Sequence, residues 1–315
     1  MTVDNALLQG RLLEPSLICI GLSAYDLTWE VQTLPSGGGK LRATNFRQGG
    51  GGMAANAAVA AAKLGGRVQF WGRAGDDLAG HAMADELRAL GVDVTGLRLF
   101  EGARSSVSGI VVDALGERSI VNFRGADLPD DPSWLPLATI AEADVVLGDV
   151  RWPDGVAAAF GAARRAEVPT VLDGDVADSA VFDTLLPLTD YAVFSEPGLA
   201  GYAPGLTNEE SRLRHAIARG CRLAAVTLGE RGLVWTDGGS LQHQRGFQVD
   251  VVDTTGAGDV FHGAFAFALG TCAGVADALR FAAAVAALKC TQSGGRAGLP
   301  DLARVRATLP NLKES

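Results

Sequence analysis

The sequence Asp253-Thr-Thr-Gly-Ala-Gly-Asp259 lies between two apolar segments and constrains the fold more than any other part of the chain. Residues 247–252 predict a strand, and residues 260–269 predict a buried helix that ends at Gly270. Glycine permits a sharp turn and lets backbone N–H groups approach a ligand closely. The pattern therefore predicts a strand, a tight turn and a helix too apolar to lie on the surface.

The same turn has the features of an anion site. Unpaired N–H groups and the helix dipole favour a negative charge at a helix N-terminus. Asp259 stands in that turn, where a carboxylate is unfavourable unless it has a chemical task. Accepting a proton from a hydroxyl that attacks a phosphoryl group is such a task. The alternative is an ordinary helix cap, but the two threonines, the second acid at Asp253 and the apolar helix favour the chemical interpretation.

Composition excludes several classes of protein. The 315 residues are 48% hydrophobic and 20% charged, which is typical of a soluble globular protein with one large core, or with one core and a small appendage. A net charge of -9 argues against nucleic acid as a partner, and an anionic substrate would need a local basic pocket. No signal peptide or membrane span is evident, so we expect a cytoplasmic protein. The cysteines suggest neither a disulfide framework nor a zinc site; they are Cys19, Cys221, Cys272 and Cys290.

Strand and helix patterns alternate along the chain, which predicts an α/β fold with a mostly parallel sheet covered by helices on both faces. The predicted strands are residues 17–20, 68–71, 145–147, 170–172, 191–194, 223–227 and 233–236. The predicted helices outside the 260–269 segment are residues 57–64, 78–90, 154–165 and 209–218, and residues 72–77 predict a turn. Residues 1–15 predict a loose leader.

A second, smaller sheet is predicted. Residues 27–46 favour two strands separated by a Pro-Gly break, and residues 105–113 and 118–122 predict a hairpin. Together they would form a four-stranded lid whose apolar face is too small to be stable alone, so we expect a homodimer through the lid. The predicted domains are residues 1–24, 49–104 and 125–315 for the α/β domain, and residues 25–48 and 105–124 for the lid.

The glycines at residues 49–52 permit another interpretation. Gly49-x-Gly51-x-x-Ala54 matches a dinucleotide fingerprint, but that motif should follow a core strand and precede an acidic residue at the end of the next strand. Neither condition holds, so a nucleotide oxidoreductase is disfavoured. A phosphate-binding Walker loop is absent as well.

The segment from Asp253 to Gly263 resembles the C-terminal signature of the ribokinase-like, or phosphofructokinase-B type, sugar kinases. This resemblance implies a ribokinase-like fold and phosphoryl transfer from ATP with Mg²⁺. Asp259 would be the base, and Gly256, Ala257 and Gly258 would stabilise the transferred phosphoryl group. The implied sugar-binding residues are Gly51, Gly52 and Asn56, and Asp26 joins them because it follows the first strand, where a polar group can meet a ligand. The implied nucleotide-binding residues are Thr227, Gly229, Gly232, Gly256 and Gly258.

Two possible ion sites follow from the resemblance. Family members often have an Asn-x-x-Glu motif that helps to organise Mg²⁺, where this chain has Ser195-Glu196 and lacks the second acid. Glu196 is the metal candidate that remains. The backbone carbonyls around Asp253 and Thr255, with Gly294, are candidates for holding a monovalent cation such as K⁺, as in some relatives.

Several segments also resemble the bacterial 6-deoxy-6-sulfofructose kinases within this family. These segments begin at Asp149, Leu172, Phe194, Val249, Leu288 and Gly294. The resemblance implies phosphorylation of the 1-hydroxyl of 6-deoxy-6-sulfofructose, a step of sulfoquinovose catabolism, with Lys40, Asn122 and Arg151 on the sulfonate. Any one of these three alone would more often be an ordinary surface residue. A kinase for fructose or another ketohexose is the alternative, and a non-catalytic sugar sensor is disfavoured because Asp259 is present.

Overall fold

Fourteen strands and nine α-helices are found in residues 14–271 and 274–314, the part of the chain that the computed structural model describes. Residues 1–13 of the predicted leader and Cys272 lie outside this part. The strands are β1 (Ser16–Gly21), β2 (Ala24–Glu30), β3 (Asn45–Gly51), β4 (Arg67–Gly75), β5 (Val92–Asp93), β6 (Leu97–Phe100), β7 (Val107–Val112), β8 (Arg118–Phe123), β9 (Val145–Asp149), β10 (Thr170–Gly174), β11 (Tyr191–Ser195), β12 (Leu223–Thr227), β13 (Leu233–Thr236) and β14 (Gln242–Gln244). The helices are α1 (Met53–Lys63), α2 (Leu78–Ala89), α3 (Pro153–Arg165), α4 (Ser179–Leu185), α5 (Glu196–Tyr202), α6 (Glu209–Ala218), α7 (Ala257–Gly270), α8 (Val275–Cys290) and α9 (Leu302–Thr308).

The large sheet has the strand order β14-β13-β12-β11-β10-β9-β1-β4-β5, with β6 also paired to β4. Its central strands run parallel, and β13 and β14 add an antiparallel edge. Strands β9 and β10 are buried along their whole length, as expected for parallel strands that helices cover on both faces. The predicted α/β fold with a mostly parallel sheet is confirmed.

Two hydrophobic cores lie on opposite faces of this sheet. One packs α1, α7 and α8 against it, and the other packs α3 to α6. Helix α7 is buried from Val260 to Ala268, so the predicted apolar helix is confirmed and begins three residues earlier than expected. Its Gly263 lies against α1, where a Cβ atom would approach the carbonyl oxygen of Ala57 to 2.2 Å. No helix in the described ranges is long and apolar enough to cross a membrane.

Two local predictions are wrong. Residues 248–252 form no strand; Phe247 makes a single bridge to Glu314, and Val252 is 62% exposed. The carbonyl oxygen of Cys290, at the end of α8, accepts from the N–H groups of Val252 and Asp253, so this backbone follows a helix end instead of a sheet. The predicted turn at residues 72–77 is shorter, because β4 continues to residue 75 through its pairing with β6.

The four remaining strands form a separate sheet in the order β3-β2-β7-β8, which we call the small sheet. Strands β2 and β7 are parallel, and the two outer pairs are antiparallel. All four predicted strands are present, although β3 crosses the predicted domain boundary at residue 49 and ends at Gly51. The division of the chain into an α/β domain and a lid stays a prediction.

Candidate active site

The turn before α7 forms the N-terminal end of a buried helix. Gly256 caps this helix with φ of 71°, a left-handed conformation that glycine adopts without strain. The N–H group of Thr255 donates to Asp253 Oδ1 at 2.8 Å and fixes the start of the turn. Asp259 lies in the first turn of the helix. The first N–H groups of a helix have no partner within it, so this turn can accept an anion.

The carboxylate of Asp259 is held by one hydrogen bond in a desolvated environment. Asn56 Nδ2 donates to Asp259 Oδ2 at 2.7 Å. Burial and the negative charge of Asp173 raise the pKa of Asp259 to about 7, against the lowering effect of Asn56. A carboxylate with a pKa near neutrality accepts a proton far more readily than an exposed aspartate does.

Arg296 orients Asn56 and is a site residue that the sequence analysis missed. Its Nε donates to Asn56 Oδ1 at 2.9 Å, so the amide nitrogen of Asn56 faces Asp259. Arg296 is 9% exposed, and its Nη2 donates to the carbonyl oxygen of Gly51 at 3.0 Å. Nη1 lies 3.4 Å from Glu86 Oε1. The only signal in the sequence was the Gly-Gly-Arg segment, which had no chemical role assigned to it.

A cavity of about 50 Å³ brings two of the predicted sugar residues, Asp26 and Asn56, together with the anion turn. Its lining comprises Asp26, Gly50, Asn56, Thr255, Gly256, Val260, Gly295, Arg296 and Leu299. The small sheet, α1 and the α7 turn therefore meet at one place, although they are far apart in the sequence.

Asp26 belongs to a row of polar side chains across the small sheet. Asp26 on β2, Ser108 on β7 and Asn122 on β8 are opposite one another in the strand register, so they share a face. Asn122 Nδ2 donates to Ser108 Oγ at 3.1 Å, and Ser108 hydrogen-bonds Asp26. Burial raises the pKa of Asp26. A Cβ atom at Gly51 would lie 2.1 Å from Asp26 Oδ2, so that glycine makes room for the carboxylate; Gly52 caps α1 beside it.

Lys40 and Arg151 do not join this row. Lys40 is exposed in the loop before β3. Arg151 follows β9, where its Nη2 lies 2.6 Å from Asp175 Oδ2 and its Nη1 donates to the carbonyl oxygen of Val176 at 2.7 Å. Within the described ranges, no hydrogen bond or ion pair joins Lys40, Asn122 and Arg151 to one another.

Three of the predicted nucleotide residues, Thr227, Gly229 and Gly232, lie in one turn after β12, and the other two, Gly256 and Gly258, lie at the start of α7. Thr227 ends that strand and donates to the carbonyl oxygen of Phe194 at 3.3 Å. Gly229 and Gly232 both have positive φ, at 59° and 83°. Strand β12 pairs with β11, and the predicted metal residue, Glu196, directly follows β11.

Glu196 begins α5 and pairs with Arg231 at 2.7 Å, with about half of its side chain exposed. No group of three or more His, Cys, Asp or Glu side chains in the described residues could hold a metal ion. Mg²⁺ in phosphoryl-transfer sites uses one or two carboxylates together with waters and substrate phosphates. The residues present therefore fit a metal that arrives with a nucleotide, and not a preformed protein cage.

Arg118 connects the small sheet to the anion turn, and sequence reasoning missed it as well. It is the first residue of β8, and its guanidinium donates to Thr254 Oγ1 at 3.0 Å and to Thr255 Oγ1. A guanidinium beside an anion-binding turn suits phosphate recognition. In the sequence Arg118 was only the polar start of a hairpin strand.

A buried lysine lies beneath the same turn. Lys289 Nζ donates to the carbonyl oxygen of Asp253 at 2.8 Å and lies 3.6 Å from its Oδ2. Burial raises the pKa of Asp253, but hydrogen bonds from Thr255 and the charge of Lys289 outweigh this effect and lower the pKa to about 2. Gly294 N–H donates to Asp253 Oδ2 at 3.1 Å. The carbonyl oxygen and both carboxylate oxygens of Asp253 are therefore already engaged with groups of the protein.

Comparison with known proteins decides the family. The family model of the pfkB carbohydrate kinases matches residues 14–302. The chain belongs to the pfkB family of carbohydrate kinases. The ribokinase of Bacillus subtilis is 31% identical to this pfkB kinase over 287 residues, which cover 90% of this chain and 96% of that protein.

Two solved structures have the same fold. A ribokinase candidate from Agrobacterium tumefaciens superposes with a TM-score of 0.90 at 36% identity, covering 94% of this pfkB kinase and 98% of that chain. A fructokinase from Xylella fastidiosa with bound ATP superposes with a TM-score of 0.80 at 25% identity, with coverage of 94% and 98%. The ribokinase-like fold is thereby confirmed. None of these three relatives is named as a sulfofructose kinase.

Proposed function

We propose that this pfkB kinase transfers the terminal phosphoryl group of ATP to the 1-hydroxyl of 6-deoxy-6-sulfofructose, giving 6-deoxy-6-sulfofructose 1-phosphate. The observation that carries the sugar assignment is the row from Asp26 through Ser108 to Asn122. It puts a neutral amide donor on the same face of the small sheet as the predicted sugar carboxylate. ATP as the donor is supported by the family and by the fructokinase that was solved with it.

In the proposed mechanism Asp259 accepts the proton of the sugar hydroxyl while that oxygen attacks the phosphoryl group. Its pKa of about 7 leaves a large fraction of it ionised at neutral pH, and this fraction grows as pH rises. The N–H groups of Gly256, Ala257 and Gly258 would stabilise the charge on the transferred group. Arg118 would add a guanidinium from the other side of the turn.

Substrate positions follow from the same geometry. Asp26 and Asn56 would bind sugar hydroxyls, and Gly51 and Gly52 would allow close approach. The turn containing Thr227, Gly229 and Gly232 would bind the nucleotide. Mg²⁺, when bound with ATP, neutralises phosphate charge, and Glu196 would hold one of its waters after leaving Arg231.

A neutral sugar is the second candidate. It is favoured by Arg151, because the Asp175 carboxylate already neutralises this guanidinium and both of its Nη atoms are engaged. It is also favoured by relatives that are named for ribose and fructose. Under this candidate the substrate is fructose or another ketohexose, or a pentose such as ribose.

The deciding experiment compares kcat/KM for 6-deoxy-6-sulfofructose, fructose and ribose in the wild type and in Asn122→Asp. This isosteric change replaces an amide donor with a carboxylate that repels a sulfonate and tolerates a neutral sugar. A charge-assisted hydrogen bond contributes about 1.5–3 kcal/mol, so kcat/KM for sulfofructose should fall at least about tenfold. A wild type that prefers fructose or ribose, or a variant that loses all sugars equally, refutes the sulfonate assignment.

Arg151 is tested separately against a matched surface arginine. Arg151→Ala should raise KM for sulfofructose at least about tenfold and change fructose turnover little. Arg214→Ala is the control, because that arginine pairs with Glu210 on the exposed face of α6. Equal losses for both sugars in Arg151→Ala would assign Arg151 to the support of the 175–176 loop.

We also propose a homodimer through the small sheet. Side chains alternate along a strand, so Trp29, Phe46 and Val121 lie on the face opposite Asp26. Val121 is 76% exposed and Phe46 49%, and the Phe46 ring lies 5.5 Å from that of Trp29. Val121→Lys should give a monomer by light scattering, whereas Ile120→Lys, on the opposite face, should not. A monomeric wild type with full activity contradicts this proposal.

A further inference from the structure

Lys289 is a buried ammonium group at the start of the anion turn. It belongs to the last turn of α8, and its side chain is 1% exposed. Burial lowers the pKa of Lys289, and the negative charge of Asp253 offsets part of that effect. Here the partners are the carbonyl oxygen of Asp253, at 2.8 Å, and the Asp253 carboxylate, at 3.6 Å. The C-terminal end of a helix also favours a positive charge.

This arrangement does not fit a bound monovalent cation at the same place. A K⁺ ion held by Asp253 and Thr255 would need the Asp253 carbonyl oxygen, to which Lys289 already donates. Both oxygens of the Asp253 carboxylate accept backbone N–H groups, from Thr255 and Gly294. A second positive charge within a few ångströms of a buried ammonium is strongly repelled.

We propose that Lys289 is the built-in monovalent cation of this active site, so that phosphoryl transfer requires no added K⁺. This inference rests on the proposed kinase function. The ammonium fixes the Asp253 carbonyl, the Asp253 carboxylate fixes the N–H of Thr255, and the Thr255 hydroxyl accepts from Arg118. The charge at Lys289 therefore orders the turn that receives the phosphoryl group.

The first test measures initial rates of the wild type in KCl, NaCl and tetramethylammonium chloride at one ionic strength. We expect rates that agree within about twofold, because the cation is part of the chain. An activation of about tenfold or more by K⁺ overturns the proposal.

The second test uses two neutral variants. Lys289→Ala opens a space beside the Asp253 carbonyl, and Lys289→Met fills it without charge. Loss of a charge-assisted hydrogen bond predicts a rate reduced about ten- to a hundredfold in Lys289→Ala without K⁺ or NH₄⁺. Either ion should restore part of that rate in Lys289→Ala and none in Lys289→Met. A folded Lys289→Ala variant with full activity in tetramethylammonium, or one that neither ion rescues, contradicts the inference.

A binding readout separates this inference from the sugar assignment. The Tm of Lys289→Ala should rise when K⁺ or NH₄⁺ replaces tetramethylammonium, and the Tm of the wild type should not. This comparison needs no sugar, so it remains valid if every substrate in the panel fails. If Lys289→Ala does not fold, Lys289→Arg with wild-type rates in every salt supports the inference, and Lys289→Arg that requires K⁺ overturns it.

Discussion

Replacing Asp259 by asparagine should inactivate the enzyme and stabilise the protein at the same time. The asparagine keeps the hydrogen bond from Asn56, because its amide oxygen can face the Asn56 donor as Asp259 Oδ2 does. It cannot accept the proton of the attacking hydroxyl. Loss of a general base predicts a kcat lower by about 10²–10⁴.

The stability effect follows from the pKa of Asp259, which rises in the folded protein from an ordinary 3.8 to about 7. Below pH 3.8 the carboxyl is protonated in both states and adds no cost. Between pH 3.8 and 7 the unfolded state ionises first, so folding loses stability as pH rises. Above pH 7 the loss is complete, at up to about 4 kcal/mol from about 1.4 kcal/mol per pH unit.

Urea denaturation of wild type and Asp259→Asn at pH 5 and pH 8 measures this difference. The advantage of the variant in free energy of unfolding should be about 2–3 kcal/mol larger at pH 8 than at pH 5. Asp250→Asn, which removes an exposed carboxylate just before the turn, is the control and should show no such pH dependence. An equal advantage at both pH values, or a kcat within a few-fold of wild type, refutes the reasoning.

Three further predictions concern the same site. The kcat/KM of the wild type should fall about tenfold per pH unit below pH about 7, where Asp259 is protonated. Asn56→Ala should move this decrease to higher pH, because the hydrogen-bond donor that lowers the pKa of Asp259 is lost. Arg118→Ala should lower kcat about ten- to a hundredfold with little change in KM for the sugar, and Arg118→Lys should recover part of it. Gly51→Ala should raise KM for the sugar at least about tenfold and leave KM for ATP unchanged, because its Cβ atom displaces the Asp26 carboxylate.

Each of these three predictions has an outcome that would contradict it. A flat pH profile through pH 7 in the wild type removes Asp259 as the titrating base. An Arg118→Ala variant with wild-type kcat would show that the guanidinium has no role in phosphoryl transfer and only connects the small sheet to the turn. A Gly51→Ala variant that loses affinity for both substrates equally indicates general distortion near α1.

The hydrophobic pattern alone predicts the α/β alternation, the small sheet and the buried helix α7, because each depends on local periodicity. The turn at Asp259 was equally visible, since its chemistry lies within a few consecutive residues. Arg296 was not visible, because it reaches Asn56 across 240 residues of sequence and only the tertiary fold buries its charge. Lys289 is similar, as a lysine in an apolar helix gives no sign of the carbonyl it will meet. The strand predicted at residues 248–252 is wrong for a related reason. The segment is apolar, but the tertiary fold gives it no neighbouring strand to pair with.

Under the proposed function, strand β8 carries a residue for the phosphoryl group at one end and a residue for the sugar at the other. Arg118, Ile120 and Asn122 alternate onto one face, and four residues of strand span about 13 Å. An extended strand is stiff along its length, so it fixes the distance between Arg118 and Asn122. Under the proposed function, this is the distance between the phosphoryl group and the far end of the sugar. The length of β8, and not only the chemistry of its two ends, would then determine which hydroxyl of a sugar can reach Asp259. Lengthening the strand by two residues would keep both side chains on the same face and increase the distance between them by about 7 Å.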